Sequence, residues 1–239
     1  MGSLDLSIKE LLFDVEGVTT PISFVHEKLF PYARERVKLF LAQNVEDPMV
    51  RKIISDFRVG YAIERNGAVL DSSPEAVGDY ALELMAQDKK FGPLKELQGM
   101  IWKEGYESGK IVGEVFADVP PAFRRVAEKG LGIRIFSSGS VQAQQLLFCH
   151  SNFGDLTQFI RGYFDTQTAG QKNVFGSYTR IANAAARSSR NILFLSDVVT
   201  ELDAAKAAGM QVTLCLRPGN KPQPDHDYRT ISNFDELSS

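Results

Sequence analysis

Four short apolar runs, each broken off by polar or glycine-bearing residues, limit what this chain can fold into more than any other feature. They are Leu11-Leu12-Phe13 before Asp14, Ile133 to Phe136 before Ser137-Ser138-Gly139-Ser140, Ile192 to Leu195 before Ser196-Asp197, and Val212 to Leu216 before Arg217-Pro218-Gly219. Runs of this length bounded by turn signals read as strands. Helical patterns fill Val141 to Cys149, Tyr178 to Arg187 and Glu201 to Ala208, with Gly209 placed to stop the last. Strands alternating with helices predict an α/β fold with a parallel sheet covered on both faces. Ligands of such sheets lie beyond the carboxyl ends of the strands. Asp14, Ser137-Ser138 and Asp197 are therefore expected at one edge.

The stretch from Pro21 to Lys129 reads differently. Helical spacing recurs in Glu35 to Ala42, Val50 to Ala62, Glu75 to Ala86 and Leu94 to Glu107, with Pro31, Pro48, Pro74 and Pro93 where helices would begin. The expected organisation is an α/β catalytic core of residues 1–20 and 130–239 with a helical cap, 21–129, inserted after the first strand. A helical unit inserted beside the active edge suits a lid. Phe91, Met100 and Trp102 could line it, although helix core is the commoner use of such residues.

Composition bounds the function classes. A net charge of -3 over 239 residues argues against a large basic face, hence against nucleic acid. No apolar run approaches a membrane span, and Asp5, Lys9 and Glu10 interrupt the first apolar stretch, so neither membrane nor leader is expected. Cys149 and Cys215 form no CxxC pair, and Cys215 reads as a small core residue. The expected location is cytoplasmic, with the nucleus open for a eukaryotic source.

Asp14 and Glu16 place two carboxylates two residues apart just after a strand. A strand end holds a nucleophile rigidly, and the second carboxylate can protonate a leaving oxygen and later activate water. Gly17 permits the tight turn this needs. Alone, such a pair is better explained by a solvated turn. Asp197 at another strand end supplies an oxygen ligand suited to Mg2+ more readily than a helix N-cap, while Glu201 reads more readily as a first-turn helix acid. The Ser137-Ser138 turn offers hydroxyls and N–H groups to a phosphate, or an N-cap to the next helix. Lys172 gains a role only near clustered carboxylates.

Taken jointly, and in this order, these pieces resemble the haloacid dehalogenase superfamily of phosphatases. Asp14-Val15-Glu16-Gly17-Val18-Thr19-Thr20-Pro21-Ile22, Leu29-Phe30-Pro31-Tyr32, Gln98-Gly99-Met100-Ile101-Trp102, Tyr163-Phe164-Asp165-Thr166, Ser177-Tyr178 and Arg217-Pro218-Gly219-Asn220 are similar to the enolase-phosphatases (acireductone synthases) of methionine salvage. The resemblance implies a Rossmann-like core, Mg2+ as cofactor, and a monomer. It implies as substrate 2,3-diketo-5-methylthiopentyl-1-phosphate, enolised and then dephosphorylated to the acireductone. Implied roles are Asp14 as nucleophile and metal ligand, and Glu16 as acid/base and, through its backbone, metal ligand. Asp197 is the further metal ligand, Ser137, Ser138 and Lys172 bind the phosphate, and Glu201 stands outside the metal's direct ligands. Val18 departs from the threonine usual in the family and removes a hydroxyl beside the catalytic pair; Asn173 and Phe175 replace residues that are commonly more polar. Two alternatives stay open: a phosphatase of the same type acting on another small ester, and a non-catalytic binding protein on the same fold.

Overall fold

The computed structural model describes residues 5–237. In chain order its main elements are β1 (Glu10–Phe13), α1 (Phe30–Gln43), α2 (Pro48–Glu64), α3 (Pro74–Ala86), α4 (Gly92–Glu107), α5 (Val119–Glu128) and β2 (Gly132–Phe136). There follow α6 (Val141–Cys149), β3 (Gly162–Phe164), α7 (Phe175–Ala184), β4 (Ile192–Ser196), α8 (Val199–Ala207), β5 (Gln211–Cys215) and β6 (Thr230–Ile231). The chain forms two compact units, divided at Val25/His26 and at Ile111/Val112.

The first unit carries a six-stranded sheet in the order β3-β2-β1-β4-β5-β6, with every pairing parallel. β1 lies inside it, with Phe13 in register with Ile135 on one side and Leu195 on the other. All four β1 residues are buried. A strand covered on both faces has no polar side to show, which is why Leu11 to Phe13 reads as unbroken rather than alternating. On one face Leu12, Phe136 and Phe194 pack with Tyr178, Ile181 and Leu202 of α7 and α8. On the other, the Phe13 ring lies 5.3 Å from Phe123 of α5 and 5.1 Å from Phe234. Full burial of each such ring contributes about 1.5–3 kcal/mol. The connection leaves β1 for β2 and β3 and then returns to β4 on its other side, so the strand order reverses at β1. That reversal opens a crevice at the carboxyl ends of β1 and β4.

The insertion expected over 21–129 differs from the second unit, His26–Ile111. The reason is α5: its apolar spacing, Val119, Ala122, Phe123 and Val126, is indistinguishable by period from an inserted helix, but those residues are buried and Phe123 packs on Phe13. β3 was not expected either; three half-buried residues are too short for a periodic signal.

The second unit is helical, α1 to α4 around Val37, Leu41, Ile53, Phe57, Val77 and Leu97. Each helix carries proline in its first turn, where no hydrogen-bonded N–H is lost. Asp47 caps α2 by accepting from Met49 N–H at 2.7 Å, and Ser73 caps α3. Phe91 packs edge-on against Phe57 at 5.2 Å, and Trp102 Nε1 donates to the Leu29 carbonyl at 2.9 Å. With Met100, these side chains pack against that unit's core. Among the described residues no helix is long and apolar enough to cross a membrane.

Candidate active site

Asp14 follows β1 directly, and its N–H still donates to the Leu195 carbonyl of β4 at 3.0 Å. The ladder thus fixes the backbone of the first residue beyond the strand. After it the chain turns tightly: Thr19 and Thr20 N–H both donate to the Val15 carbonyl at 2.9 Å, and Gly17 N–H to the Thr20 carbonyl at 2.8 Å. Gly17 has φ +74°, and a Cβ there would stand 2.5 Å from Asp197 Oδ2. Only glycine fits a backbone so twisted and so close to a carboxylate. The turn leaves Glu16 half-buried beside Asp14.

The Asp14 carboxylate is 5% exposed and anchored at both oxygens. Oδ1 accepts from Val15 N–H at 2.7 Å, and Oδ2 lies 2.6 Å from Lys172 Nζ. The same ammonium sits 2.7 Å from Glu201 Oε2. Ser196, at the end of β4, lies between: its Oγ is 2.8 Å from Glu201 and 3.4 Å from Asp14, and accepts from Val198 N–H. A hydroxyl has one proton, and the shorter contact gives it to Glu201. Glu201 therefore does more than begin α8.

Lys172 reaches this position because α7 holds its loop. Tyr178 Oη donates to the Lys172 carbonyl at 2.7 Å and Ser177 Oγ to Gln171 at 2.6 Å. Arg180 Nε donates to the Ala169 carbonyl at 2.6 Å. Burial works against the ammonium, but Asp14 and Glu201 together outweigh it and raise the Lys172 pKa.

Asp197 completes the cluster. Burial and then the Asp14 charge push its pKa up to about 7, with Lys172 opposing. Glu201 is raised by the same pair of causes. Asp14, Asp197 and Glu201 thus share one buried ammonium. Two unit charges about 4 Å apart repel by about 4 kcal/mol at an effective permittivity near 20, so the donor set is short of positive charge. Among the described residues no three His, Cys, Asp or Glu side chains converge as a complete metal cage. Two carboxylates with a backbone carbonyl are nonetheless what a hard divalent cation that keeps several waters takes from a protein. The residues fit such an ion.

Ser137 and Ser138 stand at the end of β2, the neighbour of β1. Ser137 is buried, and its Oγ accepts from Gly139 N–H at 3.2 Å; Ser138 is exposed. The N-cap of α6 falls to Ser140, which accepts from Ala143 N–H. Asp165 holds this turn from β3, its carboxylate accepting from Val141, Gln167 and Thr168 N–H at 3.1, 3.0 and 2.8 Å.

A six-stranded parallel sheet with a carboxylate–lysine cluster at its reversal point defines a class, and the haloacid dehalogenase-like hydrolase model matches residues 8–209. Enolase-phosphatase E1 of Synechococcus elongatus is 49% identical over 237 residues, covering 98% of this chain and 99% of that protein. Enolase-phosphatase E1 of Drosophila mojavensis is 40% identical, covering 100% and 98%. The crystal structure of the UTR4 protein of Saccharomyces cerevisiae superposes with a TM-score of 0.81 at 38% identity, covering 96% of this chain and 100% of that one. CbbY of Rhodobacter sphaeroides, at 17% identity and TM-score 0.55, shares the fold. The chain belongs to the enolase-phosphatase E1 family of haloacid dehalogenase-like hydrolases.

Ser196 holds Glu201, Tyr178 holds the Lys172 loop, and Arg217, paired with Asp118, and Asn220 donate to the carbonyls of Val18 and Gly17, interactions that sequence reasoning did not assign. Tyr178, Arg217 and Asn220 lie in segments that carried the family resemblance, which was their only signal. Ser196 and Asp118 offered none beyond polarity at the end of an apolar run or the start of a helix.

Proposed function

We propose that this chain is an Mg2+-dependent enolase-phosphatase that converts 2,3-diketo-5-methylthiopentyl-1-phosphate to the acireductone 1,2-dihydroxy-3-keto-5-methylthiopentene and phosphate. The observation that carries this reading is the buried Asp14 carboxylate held 2.6 Å from Lys172 at the end of β1, in a chain whose relatives are enolase-phosphatases. Asp14, Asp197 and the Glu16 backbone carbonyl would hold the cation, which when bound supplies charge neutralisation for the phosphoryl oxygens.

The remaining chemistry belongs to the chain. Lys172 fixes one Asp14 oxygen and, with Ser137 and Ser138, binds the phosphate. A base removes the proton from the carbon beside a ketone, with Glu16 the nearest candidate, while the ketone oxygen takes a proton from solvent, so that the enol forms and Glu16 enters the next step protonated. Asp14 then attacks phosphorus, forming an Asp14–phosphoryl bond as the bond to the substrate oxygen breaks, and Glu16 gives that oxygen its proton. Glu16, now a carboxylate, takes a proton from water as the water attacks phosphorus. Phosphate leaves, Asp14 is regenerated, and Glu16 returns its proton to solvent. The helical unit is proposed as the cap, and the protein as a cytoplasmic monomer.

Anaerobic incubation with the diketone phosphate and Mg2+ tests the reading, following phosphate release and enediol absorbance together. Both signals should appear and stop on chelation. Hydrolysis of simple phosphate esters with this substrate untouched would remove the specific function and leave the phosphatase.

A further inference from the structure

The loop after β5 reaches back to the two residues that follow Glu16. Arg217 Nε donates to the Val18 carbonyl at 3.2 Å, and Asn220 Nδ2 to the Gly17 carbonyl at 3.0 Å. Arg217 is immobilised by a bidentate pair with Asp118, at 3.1 and 2.8 Å, and lies between the rings of Phe116 and Phe234 at 4.6 and 4.5 Å. It braces the turn and has no free end.

Asn220 is different. Its two amide hydrogens are both spent, on Gly17 and on the Cys215 carbonyl at 3.1 Å. The amide therefore cannot flip without turning its oxygen against two carbonyls. The oxygen is thus fixed in direction, yet Oδ1 is buried and accepts no hydrogen bond from any of the described residues. A buried acceptor left unsatisfied is costly, and nothing in the loop's own packing requires it. The direction it takes is informative: a Cβ on Gly17 would stand 3.0 Å from Asn220 Oδ1 and 2.5 Å from Asp197 Oδ2. Both oxygens crowd the same point.

We infer that Asn220 is a positioning residue of the divalent-cation site, its amide hydrogens fixing the turn that carries Glu16 while its Oδ1 accepts a hydrogen bond from a water of the cation held at Asp197. This rests on the proposed use of Asp14 and Asp197 as cation-binding carboxylates. The two ends of one side chain then serve different quantities, metal affinity at Oδ1 and turnover at Nδ2, and substitution separates them.

The test uses the full chain and Mn2+ as probe, with free Mn2+ read by electron paramagnetic resonance and kcat measured at saturating Mn2+ on a phosphate ester. N220A loses both ends and should weaken Mn2+ binding by roughly tenfold or more, with kcat also lowered. N220D keeps an acceptor oxygen and adds charge beside Asp197. It should bind Mn2+ at least as tightly as wild type and still lose kcat, because the Gly17 carbonyl has lost its donor. Wild-type Mn2+ affinity in N220A overturns the inference, as does an N220D protein weakened to the level of N220A. If N220A does not fold, N220D decides by the same split. Absence of Mn2+ binding by the wild type is a separate result, and it removes the proposed cation site itself.

Discussion

Asp14 and Glu16 are two residues apart in sequence and have opposite surroundings. Asp14 is buried, with both oxygens engaged, whereas Glu16 is half-buried on a turn closed by Thr19 and Thr20. A nucleophile gains from being fixed, and an acid/base must meet a leaving oxygen and then water. Glu16→Gln should accordingly lower kcat for dephosphorylation by roughly 100-fold or more, with Mn2+ affinity changed little, since only the Glu16 backbone is assigned to the cation. Calorimetry beside steady-state kinetics measures both, and a large loss of Mn2+ affinity would make the side chain a ligand. Asp14 and Asp197 were legible because each ends an apolar run. Glu201 was ambiguous, since a first-turn acid and a partner of Lys172 look alike until α8 is packed. Asn220 and Arg217 were legible only as part of a resemblance, because the carbonyls they hold lie about two hundred residues away in sequence.

At the scale of elements, the site is assembled by loops pinned from neighbouring helices. α7 secures the Lys172 loop through Ser177, Tyr178 and Arg180, and Asp165 joins the end of β3 to the first turn of α6. Burial alone would raise the Asp165 pKa, but hydrogen bonds from Thr168, Val141 and Gln167 outweigh it and hold the carboxyl below its ordinary value. A depressed folded-state pKa contributes stability in full above the unfolded value, about 3.9, and loses it as pH falls through the folded value. Asp165→Asn should therefore cost about 1–3 kcal/mol at neutral pH, and the gap to wild type should narrow below about pH 4. Urea unfolding across that range checks it; a gap unchanged from neutral to acid would assign the loss to shape instead of charge. The long strands and the four proline-headed helices were legible because their period and their punctuation agree. β3 was not, being three residues long, and α5 was counted with the insertion and not with the sheet unit, because only its packing on Phe13 assigns it there.

For the whole molecule, the sheet unit sets the buried Asp14 and Asp197 and the half-buried Glu201 against the Lys172 ammonium at its active edge, an excess of negative charge that the proposed cation would relieve. Mg2+ at a hundred times its Kd should stabilise the chain by about 2.7 kcal/mol, seen as a Tm raised by roughly 5–10 °C over the chelated protein. Asp197→Asn should abolish most of that shift, and an equal shift in the variant would put the cation elsewhere. The claim on which the rest depends is that phosphate passes through Asp14. p-Nitrophenyl phosphate tests it directly, because its leaving group needs little help from an acid, so Glu16→Gln should form the intermediate and fail to hydrolyse it. The measurement is an acid quench of that variant after mixing with the ester and Mg2+, followed by peptide mass mapping. A phosphoryl group on the peptide carrying Asp14, absent when Asp14 is also replaced by Asn, is the predicted result. Nitrophenol released with no modified peptide, or at an equal rate from the Asp14→Asn protein, would contradict it.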